Sequence, residues 1–205
     1  DHMALIPADT FSWTTTHGDA FIPYLENKEA SLVKMNSFYF DKNLVTNKDF
    51  QNFLKKSKYK PIDKTNFLKH WVNSKIPIGL ENHPVIYISK NDAAAYCKWN
   101  KKRLPTELEW QYAAQTAKRN FWPWGNEAGI KNVKSEIITE TLTHEVYESF
   151  DSTKANPGNG KLDPINFYPG GNNEYGISDL VGSVWQITAD DYKVGKKYNI
   201  GILTM

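Results

Sequence analysis

Two helix starts separated by a proline constrain this chain more than any other feature. Ser89 and Thr106 are residues that cap helices by accepting a bond from a backbone amide, and Asp92 and Glu109 stand where a capping box needs its acid. Pro105 cannot continue a helix, so the pattern predicts two separate helices, over 89–101 and 106–117. Ala93, Ala94, Tyr96 and Cys97 share one face of the first, and Trp110, Ala113 and Ala114 share one face of the second. An aromatic turn, Trp122-Pro123-Trp124-Gly125-Asn126, follows.

The rest of the chain reads as mixed and irregular. Phe50, Phe53 and Leu54 recur at helical spacing, which predicts a helix over 46–58. Residues 31–40 alternate partially and predict one or two strands. Val85-Ile86-Tyr87-Ile88 reads as a short buried extended segment, and 185–188 with 198–204 as paired strands. Residues 61–82 lack a period, and 126–171 are polar and rich in turn formers, with Asn156-Pro157-Gly158-Asn159-Gly160 the strongest turn signal. The expected class is therefore α+β with much loop. No linker rich in Pro, Gly or Ser divides the 205 residues, so a single domain is expected, its irregular core filled by abundant aromatics.

Several function classes are disfavoured by the same residues. The net charge is +2, and the only basic run, Lys55-Lys56-Ser57-Lys58-Tyr59-Lys60, reads as the solvated end of a helix, where cations suit the dipole. A nucleic-acid partner would need a broader basic face. No apolar run is long enough to span a membrane. The single cysteine, Cys97, cannot form an intramolecular disulfide and reads as buried and inert. His17, His70, His83 and His144 do not have ligand spacing, and no Ser-His-Asp order, phosphate loop or CxxC motif is present. Glu107 and Glu109 read as first-turn acids favoured by the helix dipole.

The motifs resemble the sulfatase-modifying-factor, or formylglycine-generating-enzyme, family. The matching residues are Asp92, Ala93, Ala95, Tyr96, Cys97 and Trp99, then residues 102–107 with Glu109, Trp110 and 112–114, then Pro123 to Asn126. Leu5-Ile6-Pro7-Ala8-Asp9-Thr10-Phe11 is similar to the family's opening strand, Val45 to Phe53 to its first helix, and His83-Pro84-Val85 to the approach to its second. Asn173-Glu174-Tyr175-Gly176 through Gly182-Ser183-Val184-Trp185-Gln186 is similar to its N-x-Y-G-L-x-D-M-x-G-N-V-W-E segment. The resemblance implies a variant of the C-type-lectin fold over 4–205, with residues 1–3 a cloning remnant, and suggests an exported bacterial protein in the periplasm or at the cell surface.

The same resemblance implies a site and also removes one. Active family members use copper held by two cysteines near the C-terminus to oxidise a sulfatase cysteine to formylglycine. Neither cysteine is among these residues, and Cys97 matches the A-Y-C-x-W helix instead. No catalytic residue is therefore assigned. The chain is expected to lack the C-terminal part of the domain and to act as a non-catalytic binding or structural module. The alternative is the copper-dependent oxidase, should a further segment supply the pair. Family calcium ligands map to Asp179, Gly182, Val184 and Gln186, and a second calcium position maps to Asn132 and Val133. Calcium prefers six to eight oxygens, so two carbonyls, one carboxylate and one amide form a thin set. A protein or carbohydrate ligand is expected, with Trp13, Trp71, Trp122 and Trp124 as candidate surface aromatics.

Overall fold

The computed structural model describes residues 2–15, 27–120, 122–125, 150–158 and 160–191. Its three α-helices begin where side-chain chemistry favours a start. Helix α1 (Asn47–Ser57) is capped by Thr46, α2 (Lys90–Trp99) by Ser89 and α3 (Glu107–Gln115) by Thr106. Each cap is a complete box, with the acid three residues on, Asp49, Asp92 or Glu109, bonded back to the capping residue. Each end also has a local cause. Lys58 turns left-handed at φ 56° after α1, and Asn100 closes α2 just ahead of Pro105.

Four strands form two antiparallel ribbons. Strand β1 (Met3–Ile6) pairs with β4 (Phe38–Asp41), and β2 (Asp9–Thr15) pairs with β3 (Asn27–Met35). In the first ribbon Met3 faces Asp41, Leu5 faces Tyr39 and Ile6 faces Phe38. Residues 31–40 thus contain the end of one strand and most of another. Met3, read from sequence as part of a cloning remnant, is the first residue of β1. The segment 85–88 joins no sheet and is not a continuous buried extended run: Tyr87 turns left-handed at φ 55° and is exposed, and Pro84 makes a bridge to Thr46. Residues 185–188 are irregular, without strand pairing among the described residues, and 198–204, their expected partner, lie outside the described residues.

Buried apolar side chains gather in two clusters. Ile6, Phe11, Trp110, Tyr112, Ile177 and Leu180 belong to one, built on both ribbons and α3. Phe50, Phe53, Leu68, Trp71 and Val85 form the other, against α1 and α2. Phe50 stacks on Tyr96 at 5.8 Å, and Phe11 meets Tyr112 at 5.3 Å. Lys102, just past α2, pairs with Asp41 of β4 at 2.5 Å, and within the first cluster Ser178 donates its amide to the Lys42 carbonyl at 2.8 Å. Asn47, fully buried, serves as the hub of the second cluster. Its Oδ1 accepts from the Trp71 indole at 2.9 Å and meets His70 Nε2 at 2.8 Å, while its Nδ2 donates to the Leu80 carbonyl at 2.9 Å.

Candidate functional site

A cavity of about 790 Å³ opens between the clusters, within the size range of ligand pockets. Its walls are consecutive runs of chain: β4, residues 84–88, residues 101–105 and residues 183–187. Phe38, Phe40, Val85, Leu104 and Trp110 make it largely apolar. Four of its charged groups are closed on each other, and Lys101 lines it as well. Lys102 holds Asp41, and Arg103 grips Glu109 with two parallel bonds of 2.6 Å. The Arg103 guanidinium holds the Glu109 carboxyl below its ordinary range. Trp185 is 54% exposed at this cavity and Tyr39 65%.

Cys97 reaches the same cavity from α2 and is half-buried rather than fully buried. Burial pushes its thiol up, Asp41 adds to that, and Lys102 opposes it. A thiol held protonated is a poor nucleophile and a poor metal ligand. The helix exposes one side of its apolar face to the cavity, which is why burial is partial.

The turn over 179–186 forms a second cluster of interest beside it. Asp179, Gly182 and Ser183 have φ of 56°, 73° and 60°. Gly182 must be glycine for a packing reason as well: a Cβ there would lie 2.6 Å from the Asn156 carbonyl oxygen. Gln186 locks the turn with both ends of its amide. Its Oε1 accepts from the buried Trp110 indole at 2.8 Å, and its Nε2 donates to the Asp179 carbonyl at 2.7 Å. Asp179 Oδ2 accepts from the Asn166 amide at 3.0 Å and from Ser178 Oγ at 2.9 Å.

Asp179, Gly182, Val184 and Gln186 are therefore brought together in one turn. The donor set fits a hard cation weakly. It offers one carboxylate, one amide oxygen with a single lone pair left, and the Gly182 and Val184 carbonyls, which accept no bond among the described residues. Asn132 and Val133 lie outside the described residues. No cluster of three or more His, Cys, Asp or Glu suited to a metal occurs among the described residues.

Sequence reasoning misplaced the surface aromatics. Trp71 and Trp122 are each only 9% exposed, and Trp122 stacks on Trp124 at 5.1 Å. The side chain of Trp13 lies outside the described residues. Trp185 is the exposed one, and no periodicity in its irregular segment could have signalled this. Glu107 is also not a solvated first-turn acid. It is 2% exposed, its Oε2 has no partner, and its backbone amide donates to Asp190 Oδ2 at 2.6 Å. Its carboxyl is pushed up to about 8, first by burial and then by the Asp190 carboxylate.

Comparison with known proteins agrees with this architecture. The sulfatase-modifying factor enzyme 1-like domain matches residues 1–203. The bovine inactive C-alpha-formylglycine-generating enzyme 2 is 33% identical over 198 residues, covering 78% of this chain and 62% of that protein. The formylglycine-generating enzyme of Thermomonospora curvata is 30% identical over 224 residues, covering 92% of this chain and 71% of that one. The chain thus spans less than two thirds of the bovine relative's length. Among solved structures, PvdO from Pseudomonas aeruginosa superposes with a TM-score of 0.59 at 17% identity, over 99% of this chain and 76% of that one. CarF superposes at 0.55 with 17% identity, over 95% and 82% of the two chains. Among the described residues no helix is long and apolar enough to cross a membrane.

Proposed function

The chain belongs to the sulfatase-modifying-factor family, and from that premise we propose that these residues form a non-catalytic binding module with a C-type-lectin-like scaffold. One observation carries the reading. The only cysteine in the 205 residues sits on α2 with its thiol pushed up by burial, away from any second thiol. Oxidising a substrate cysteine through copper needs thiolates that can bind the soft metal, and this thiol is disfavoured as one. The largely apolar cavity, with both of its carboxylates held in ion pairs, supports binding rather than acid–base work. The likeness to a relative named inactive points the same way. Export to the periplasm or cell surface belongs to this reading by family likeness alone.

Calcium at 179–186 is part of the proposal, as a weak stabiliser of the turn. Asp179 Oδ1, the Gly182 and Val184 carbonyls and Gln186 Oε1 would hold it, with water completing the shell. The ion would supply charge neutralisation beside the cavity wall. Asn132 and Val133 remain the proposed ligands of a second ion.

The alternative reading, a copper-dependent oxidase, is favoured by the relatives named formylglycine-generating enzyme and by their greater length. It requires a cysteine pair supplied by sequence beyond these residues. Incubating the chain with copper, oxygen and a sulfatase-type cysteine peptide, followed by mass spectrometry, separates the readings. The module leaves the peptide cysteine intact. Formylglycine formed by this chain would overturn the proposal, and its loss in Cys97→Ser would place the chemistry at Cys97.

A further inference from the structure

We propose that residues 189–191 are a strap fastening the end of the cavity wall, and that the Glu107 carboxyl beneath it is a proton-operated catch: protonated, it lets the strap lie down; ionised, it drives the strap off. The inference goes beyond the binding-module reading and holds whatever the cavity takes up.

The strap follows directly from the wall. Residues 183–187 line the cavity, and the chain then crosses to the starts of α2 and α3. Ala189 donates its amide to the Pro105 carbonyl at 2.8 Å. Asp190 Oδ2 accepts the first amide of α3, that of Glu107, at 2.6 Å, where the helix dipole favours an acid. From the first turn of α2, Lys90 Nζ donates to the Ala189 carbonyl at 2.6 Å, to the Asp190 carbonyl at 3.0 Å and to Asp191 Oδ1 at 2.5 Å. Lys90 and Asp191 are 37% and 73% exposed, so this clasp is at the surface, where local opening costs least.

Glu107 lies under that clasp with nothing to hold its charge. It is 2% exposed, and its Oε2 has no hydrogen-bond partner. An ionised carboxylate there would have neither water nor a donor and would face the Asp190 carboxylate, whereas a neutral carboxyl without a partner costs far less. The neighbouring cations are engaged elsewhere: Lys90 holds the strap and Asp191, and Arg103 is closed on Glu109. Among the described residues Asp190 is the charged side chain that bears on Glu107. Burial first and Asp190 second push the Glu107 carboxyl up to about 8.

Once the strap lifts, Glu107 meets water and returns to an ordinary value of about 4.3. The closed form thus binds the proton more tightly than the open form. Closure is fully supported below the ordinary carboxylate range and weakens about tenfold per pH unit up to about 8, where the closed form loses its proton too. Of the two carboxylates, Glu107 is fixed in α3, which is packed through Trp110 and Tyr112, and Asp190 hangs on the strap. The strap is therefore the part that yields, and its opening frees the end of the wall that carries Trp185.

The test follows amide exchange of the chain by NMR from about pH 5 to about pH 9, each rate divided by its intrinsic value. The Ala189 amide reads the strap, and the buried Phe50 amide, bonded to the Thr46 carbonyl, reads the whole fold. Ala189 is expected to be less protected than Phe50 and to lose protection about tenfold per pH unit, levelling near pH 8. Glu107→Gln should flatten the Ala189 profile over the same range. Lys90→Met should lower Ala189 protection by one factor at every pH and leave the slope unchanged. Equal protection of Ala189 and Phe50 at every pH means that the strap opens only with the whole fold, and overturns the proposal. A flat Ala189 profile in the parent, a slope that survives Glu107→Gln, or a slope lost in Lys90→Met overturns it as well. Should Glu107→Gln fail to fold, the carbon resonance of the Glu107 carboxyl in the parent decides: titration near pH 8 supports the catch, and titration in the ordinary carboxylate range refutes it.

Discussion

Replacing Gln186 by Glu separates the two roles its side chain combines. The amide accepts from the Trp110 indole and donates to the Asp179 carbonyl, at 2.8 and 2.7 Å. A carboxylate keeps the first bond and turns the second into two oxygens facing each other. The lost bond costs about 0.5–1.5 kcal/mol, and a carbonyl left against an acceptor adds about 1–2 kcal/mol. Together, about 1.5–3.5 kcal/mol corresponds to a melting-temperature loss of roughly 3–14 °C for a chain of this size. That loss is expected in chelator. Calcium reverses it, because the new charge joins Asp179 and the carbonyls of Gly182 and Val184 in the cation's favour. At a hundredfold excess over its dissociation constant the ion stabilises by about 2.7 kcal/mol, which offsets most or all of the loss. Differential scanning in chelator and in calcium, with ion content measured directly, reads both halves. Gln186→Leu is the control: it loses both bonds, and calcium should restore little. If Gln186→Glu is as stable as the parent in chelator, the amide does not lock the turn. If calcium fails to restore it, the turn is not a cation site, and the parent should then show no calcium response either.

Three further outcomes follow from single residues. Glu107 holds its proton more tightly folded than unfolded, since its value rises to about 8 from an ordinary carboxylate's. Stability should therefore fall as pH rises from about 4.3 to about 8, and Glu107→Gln should flatten that slope in urea titrations across the range; an unchanged slope refutes it. Asn47→Ala strands the Trp71 indole and the Leu80 carbonyl, and should lower the unfolding free energy by about 2–4 kcal/mol, read from the urea midpoint. Gly182→Ala forces a Cβ to 2.6 Å from the Asn156 carbonyl at φ 73°; a cost above about 2 kcal/mol and loss of any calcium response are expected, and a neutral effect would mean that the turn relaxes freely.

What the sequence revealed and what it concealed divide along the range of the forces involved. Caps act over three residues, so Ser89 with Asp92 and Thr106 with Glu109 fixed two helix starts that the structure reproduces. The third helix was placed by its Phe50 and Phe53 spacing, although the Thr46–Asp49 box that starts it went unread. The turn over 179–186 was legible as a motif, because glycine and positive φ are local demands. Pairing is different. Nothing near 38–41 announces that β4 takes β1 as its neighbour, since that partner lies far back in the chain. The cavity is likewise bounded by four segments that no window of sequence joins. The aromatics fail for the same reason: a tryptophan's hydrophobicity is equal at Trp71 and Trp185, yet Asn47 gives the first indole a buried partner while the second stands exposed at the cavity. Glu107 completes the argument. Its helix position predicts a solvated acid, yet it is buried, and the Asp190 carboxylate, distant in sequence, returns to the start of α3. The residues most informative about function in this chain are thus those whose local propensity is overruled by a distant segment, as at Glu107 and Asn47.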